Sequence, residues 1–132
     1  MIEIVGTTRE RQDRPNDAAF AVGRPAADCA AIADGSGIAQ DGAKKVLEHL
    51  DRLIAQGLDW PSIVWILDTS LAAASQSTLV AVNFVEMHYE GTCVGDSRAL
   101  LFTRDCDLRI LTNINIPLLG SGQARHQPLS GE

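Results

Sequence analysis

The chain has only three cysteines, Cys29, Cys93 and Cys106, and no Cys-x-x-Cys pair. An odd number without a repeated spacing excludes a zinc ribbon and a thioredoxin-type redox motif. Cys29 and Cys93 lie in apolar runs, where a reduced cysteine acts as a small hydrophobe. Basic residues are also scarce: 11 Lys and Arg against 17 Asp and Glu leave a formal charge of -6. That balance argues against nucleic acid, which is usually recognised through a basic stripe, and against an anionic membrane surface. It is compatible with a cation site or a basic partner. No apolar run approaches membrane-spanning length, and Met1-Ile2-Glu3-Ile4 is not a basic leader. Internal repeats and linkers are absent as well. These absences lead us to expect one reduced, soluble, cytoplasmic domain over residues 1–132, long enough to bury a core.

What the chain does have is a pair of acidic turns, Ala33-Asp34-Gly35-Ser36-Gly37 and Val94-Gly95-Asp96-Ser97-Arg98, each after an apolar, strand-like run. A carboxylate on a glycine-bracketed turn at a strand end is exposed and fixed in direction. Two of them suggest a shared oxygen-rich site of the kind that hard divalent cations use. The competing role for Asp34 is capping the segment after its turn, and for Asp96 pairing with Arg98.

Met1 to Thr8 reads as a strand and Arg9 to Asp17 as a polar loop. Ala18 to Val22 and Cys29 to Ala33 read as an antiparallel pair ending at Asp34. From about Asp41, the spacing of Val46, Leu47, Leu50, Leu53 and Ile54 predicts an amphipathic helix, with a stop at Gly57. Asp59 and Pro61 open a second helix running to about Ser75, with Trp60 and Trp65 packed between the two. Thr78 to Val85, Gly91 to Val94, Ala99 to Thr103 and Leu108 to Thr112 read as an antiparallel meander. Residues 113–132 have no clear period and are expected to be an irregular tail.

Three segments, in this order, resemble the amino-terminal part of the metal-dependent protein phosphatases, the type 2C serine/threonine class. Arg14-Pro15-Asn16-Asp17-Ala18-Ala19-Phe20 is similar to the family's Arg-Pro-x-Asn-Glu-Asp-Ala-Phe opening. Ala31-Ile32-Ala33-Asp34-Gly35-Ser36-Gly37, followed by Asp41-Gly42, is similar to its Val-Ala-Asp-Gly-Met-Gly-Gly loop. Ser77-Thr78-Leu79-Val80, Val94-Gly95-Asp96-Ser97-Arg98-Ala99 and Leu108-Arg109-Ile110-Leu111-Thr112 are similar to Gly-Thr-Thr-Leu, Val-Gly-Asp-Ser-Arg-Ala-Tyr and the Leu-Thr strand.

The resemblance implies an α+β fold, an αββα sandwich of two antiparallel sheets flanked by helices, incomplete at its carboxy-terminal end. It implies two Mn²⁺ or Mg²⁺ ions and hydrolysis of a phosphoserine or phosphothreonine protein by metal-activated water. Asp34 matches the metal-bridging aspartate, and the Gly35 carbonyl matches a backbone ligand. Asp17 stands where a carboxylate helps hold the second ion, and Asp96 matches a residue of a weaker third site. Arg14, or Arg11 in another register, matches the phosphate clamp.

The departures are Ala18 in place of an aspartate, Ile38 in place of a glycine, and Ala43 where a glutamate often opens the helix. The later Ser-Asp-Gly and Asp-Asn motifs, which supply aspartates to the first metal, are absent from the sequence. A weakened enzyme is therefore expected, with a catalytically inactive binding or regulatory module as the alternative. An exposed sheet edge would invite a homodimer or a partner chain. A serine esterase built on Ser97 is rejected. It needs a strand-to-helix turn and a downstream Asp-x-x-His, whereas a strand follows Ser97 and Gln123 precedes His126 at that spacing.

Overall fold

Alternation along Cys29-Ala30-Ala31-Ile32-Ala33 puts Cys29, Ala31 and Ala33 on one face of a strand and Ile32 on the other. The computed structural model describes residues 18–22, 28–36, 39, 41–114 and 117–132. In it, Cys29, Ala31 and Ala33 are buried while Ile32 is 42% exposed. This strand, β2 (Asp28–Ser36), pairs antiparallel with β1 (Ala18–Val22), and the register closes with Ala18 opposite Asp34. The strand and loop expected over residues 1–17 lie outside the described residues, as does Ile38.

Helix α1 (Gly42–Ala55) buries Val46, Leu47, Leu50 and Leu53, the stripe that its spacing predicts. Gly57, at φ +73, follows its end. Its start depends on Gly42: a Cβ there would lie 2.5 Å from the carbonyl oxygens of both Ser75 and Gln76. Helix α2 (Trp60–Ser70) is capped by Asp59, whose Oδ1 accepts from the Ser62 N–H at 2.8 Å. It ends at Ser70 rather than near Ser75. Leu71 is extended there, and a separate 3-10 turn forms at Ala73–Ser75. The Thr69 and Ser70 hydroxyls donate back to the carbonyls of Trp65, Ile66 and Leu67, and the Leu67 bond satisfies one of the carbonyls that the helix end leaves open. The expected packing of both tryptophans is half right. Trp60 is buried, but Trp65 is 67% exposed. Five positions along a helix rotate a side chain by about 140° from its starting face, so one helix face cannot hold both.

The remaining strands are β3 (Gln76–Ser77), β4 (Leu79–Val85), β5 (His88–Val94), β6 (Leu100–Phe102), β7 (Leu108–Ile110) and β8 (Gln127–Gly131). One antiparallel sheet runs β1-β2-β4-β5-β8, with β3 extending β2. Leu79, Ala81 and Val94 join both helices in the main core. Val80, Cys93 and Leu129 form a second cluster with Ala99 and Leu111. Strand alternation puts this second cluster on the face away from the helices. Ala99 and Leu111 flank β6 and β7, which pair only with each other among the described strands. The expected meander is therefore split, and β6–β7 begins the second layer. The α+β class, with helices outside antiparallel sheets, is as expected.

Residues 113–132 are not irregular throughout. Strand β8 pairs with β5, placing Leu129 opposite Gly91. Leu119 is fully buried and exchanges two backbone hydrogen bonds with Ser77, at 3.1 and 3.0 Å. The buried Asp68 carboxylate accepts from the N–H groups of Gly120, Gly122 and Ala124 at 2.8, 3.1 and 3.1 Å. No helix of the described residues is long and apolar enough to cross a membrane.

Candidate functional site

Asp34 lies near the end of β2, and its backbone is held on both sides. Its N–H donates to the Thr78 hydroxyl at 3.0 Å, and its carbonyl accepts from the Thr78 N–H at 3.0 Å and from Ser77 Oγ at 3.3 Å. The side chain is exposed, and its carboxylate has no partner among the described residues. Gly35 and Ser36 continue the ladder opposite Ser77 and Gln76. Thr78 itself is buried, and its hydroxyl also lies 2.6 Å from Ser97 Oγ.

That second contact draws in the Asp96 turn. Gly95 adopts φ +96, and a Cβ there would come within 2.8 Å of Thr78 Cγ2 and 2.9 Å of Leu118 Cδ2. Only glycine meets both demands. The adjacent Asp96 is exposed, and no ion pair joins it to Arg98 among the described residues. The Cys93 thiol, pushed up by burial and so kept protonated, lies 3.7 Å from the Ser97 carbonyl as a weak donor. Ser97 is thus a partner of Thr78, and among the described residues no histidine is hydrogen-bonded to its hydroxyl to act as a base.

Asp34 and Gly35 thus lie within β2 rather than on a turn, and Thr78 links the Asp34 backbone to Ser97, the residue after Asp96. Sequence reading placed Thr78 in a motif without giving it a role. Arg11, Arg14 and Asp17 lie outside the described residues. Asp41 is engaged elsewhere: Lys45 at 2.8 Å, then Ser75 Oγ at 2.7 Å, hold its carboxyl below the usual range.

Exposed carboxylates and a backbone carbonyl are hard oxygen donors, which fit Mg²⁺ or Mn²⁺ in kind. In number they fall short of a full coordination shell. Among the described residues, no group of three or more His, Cys, Asp or Glu is placed to hold a metal. A separate cleft of about 460 Å³ opens toward the other end of the sheet, between the α1–α2 turn and Asn83, Glu90 and His126. Asn83 pairs with Cys29, five residues from Asp34 along β2, so this cleft lies roughly 17 Å from Asp34.

Comparison with solved structures places the chain. It matches the PP2C phosphatase domain of SpoIIE from Bacillus subtilis with a TM-score of 0.70 at 16% identity. The fold is that of the type 2C phosphatases. A bacterial serine phosphatase matches with a TM-score of 0.70 at 18% identity over 87% of this chain. The catalytic domain of the serine/threonine phosphatase PstP, solved with two manganese ions, matches with a TM-score of 0.67 at 17% identity over 96% of this chain. The SpoIIE match covers 88% of this chain. This type 2C-like chain spans 63% of the bacterial serine phosphatase, 68% of the PstP domain and 37% of the SpoIIE chain. No protein-family model matches the sequence, and no curated protein matches it significantly.

Proposed function

We propose that residues 1–132 are one partial type 2C-like domain whose site serves a divalent cation, Mn²⁺ or Mg²⁺, and acts on phosphoserine or phosphothreonine in proteins. The observation that carries this reading is the exposed Asp34 carboxylate, without a partner among the described residues, on a backbone held at both its N–H and its carbonyl within the type 2C fold. Asp34 and the Gly35 carbonyl would hold the ion, with Asp17 as a further carboxylate and Asp96 at a weaker position. Arg14 would clamp the phosphoryl oxygens, for which a guanidinium fork is suited. A bound divalent ion supplies an activated water and charge neutralisation at phosphorus. The chain's own part is to orient donors in advance, so that little rearrangement accompanies binding.

The lack of a cluster of three or more potential metal ligands among the described residues supports a second reading, a type 2C fold kept as an inactive binding or regulatory module. A further copy or partner chain pairing along an edge of β6 or β7 that no described strand covers belongs to either reading. Hydrolysis of p-nitrophenyl phosphate with and without Mn²⁺, in wild type and Asp34→Ala, separates the two. The enzyme reading expects Mn²⁺-dependent turnover that the variant lacks. Folded wild type with no turnover above the variant would favour the module.

A further inference from the structure

We propose that Thr78 is a positioning residue that couples Asp34, near the end of β2, to the Gly95–Ser97 turn through one hydroxyl. Its bearing on metal binding rests on the reading of Asp34 above; the coupling itself does not. A threonine hydroxyl has two lone pairs and one proton. One lone pair accepts the Asp34 N–H at 3.0 Å. Ser97 Oγ, at 2.6 Å, takes the proton or donates to the other lone pair. Thr78 is 3% exposed, so water is poorly placed to replace either bond.

Each part of Thr78 has a separate task. Its N–H binds the Asp34 carbonyl, its hydroxyl spans Asp34 and Ser97, and its Cγ2 methyl lies against Gly95. Ser77 Oγ also donates to the Asp34 carbonyl at 3.3 Å, so that side has a second support. On the N–H side, Thr78 Oγ1 is the acceptor that Asp34 has among the described residues. A shift of the Ser97 turn therefore reaches Asp34 through the hydroxyl, and a shift of Asp34 reaches Asp96 by the same route.

Amide hydrogen exchange by NMR, paired with Mn²⁺ titration, tests this in wild type, Thr78→Val, Thr78→Ser, Ser97→Ala and the Thr78→Val/Ser97→Ala double variant. Thr78→Val keeps the methyl and removes the hydroxyl. It should speed Asp34 amide exchange and weaken Mn²⁺ binding, each by roughly tenfold, the scale of one hydrogen bond. Thr78→Ser should recover both. Ser97→Ala should speed Asp34 exchange on its own and add nothing in the Thr78→Val background. Unchanged Asp34 exchange in Thr78→Val, or an equal Ser97→Ala effect in both backgrounds, overturns the coupling whatever Mn²⁺ does. If the exchange pattern holds but wild type takes up no Mn²⁺, the coupling stands and the metal reading of Asp34 falls. Should Thr78→Val fail to fold, Ser97→Ala alone decides, because unchanged Asp34 exchange there overturns the coupling.

Discussion

His126 sits half-buried just ahead of β8, with Nδ1 2.8 Å from the Thr92 hydroxyl. Burial pushes its pKa below the usual 6.5, and the Asp59 carboxylate opposes that shift only in part. The fold therefore disfavours the imidazolium, and the unfolded chain binds more protons as pH falls through about 6.5. Stability is at its full value above that point and declines below it. Replacing His126 with Gln should flatten the difference in melting temperature between pH 7.5 and pH 5.5; an unchanged difference would contradict this account. At the same scale, the exposure of Asp34 and Asp96 was legible, because each adjoins a glycine and follows an apolar run. The role of Thr78 was not, because its partners lie 44 and 19 residues away along the chain. Nothing local in Ser77-Thr78-Leu79 signals that one hydroxyl reaches both Asp34 and Ser97.

Helices α1 and α2 and strands β2, β4 and β5 follow from their apolar residues, since each supplies buried side chains to the main core. Strand β8 does not. Gln127-Pro128-Leu129-Ser130-Gly131 has one fully buried side chain, and its Pro128 is tolerated because β8 lies at an edge of the described sheet. What holds the segment leading into it is Asp68, a charge on the buried face of α2 that accepts three backbone N–H groups. Removing that carboxylate leaves the buried Gly120 donor unpaired and frees the more accessible Gly122 and Ala124 donors. Asp68→Ala should cost on the order of 3 kcal/mol in urea unfolding, with faster exchange at Gly120, Gly122 and Ala124. A cost within about 0.5 kcal/mol, typical of an inert surface change, would show that the segment docks without the clamp.

Across the whole molecule, the order of motifs anticipated the architecture, because a strand pair, an acidic turn, two helices and returning strands recur together in the type 2C fold. The candidate site was legible only in part. Asp34 and Asp96 are described, while Arg14 and Asp17 are not, and among the described residues no group of three or more His, Cys, Asp or Glu is placed to hold a metal. Yet Asp34 has what a ligand requires: exposure, a carboxylate without a partner among the described residues, and a backbone fixed on both sides. The account's central claim is that this carboxylate takes a divalent cation. Calorimetric titration of Mn²⁺ into wild type and Asp34→Asn tests it most directly, since Asn keeps the size and removes the charge. The account predicts a saturable binding heat in wild type and at least about a tenfold loss of affinity in the variant, worth ~1.4 kcal/mol. Equal affinity in both, or no binding by folded wild type, would contradict it.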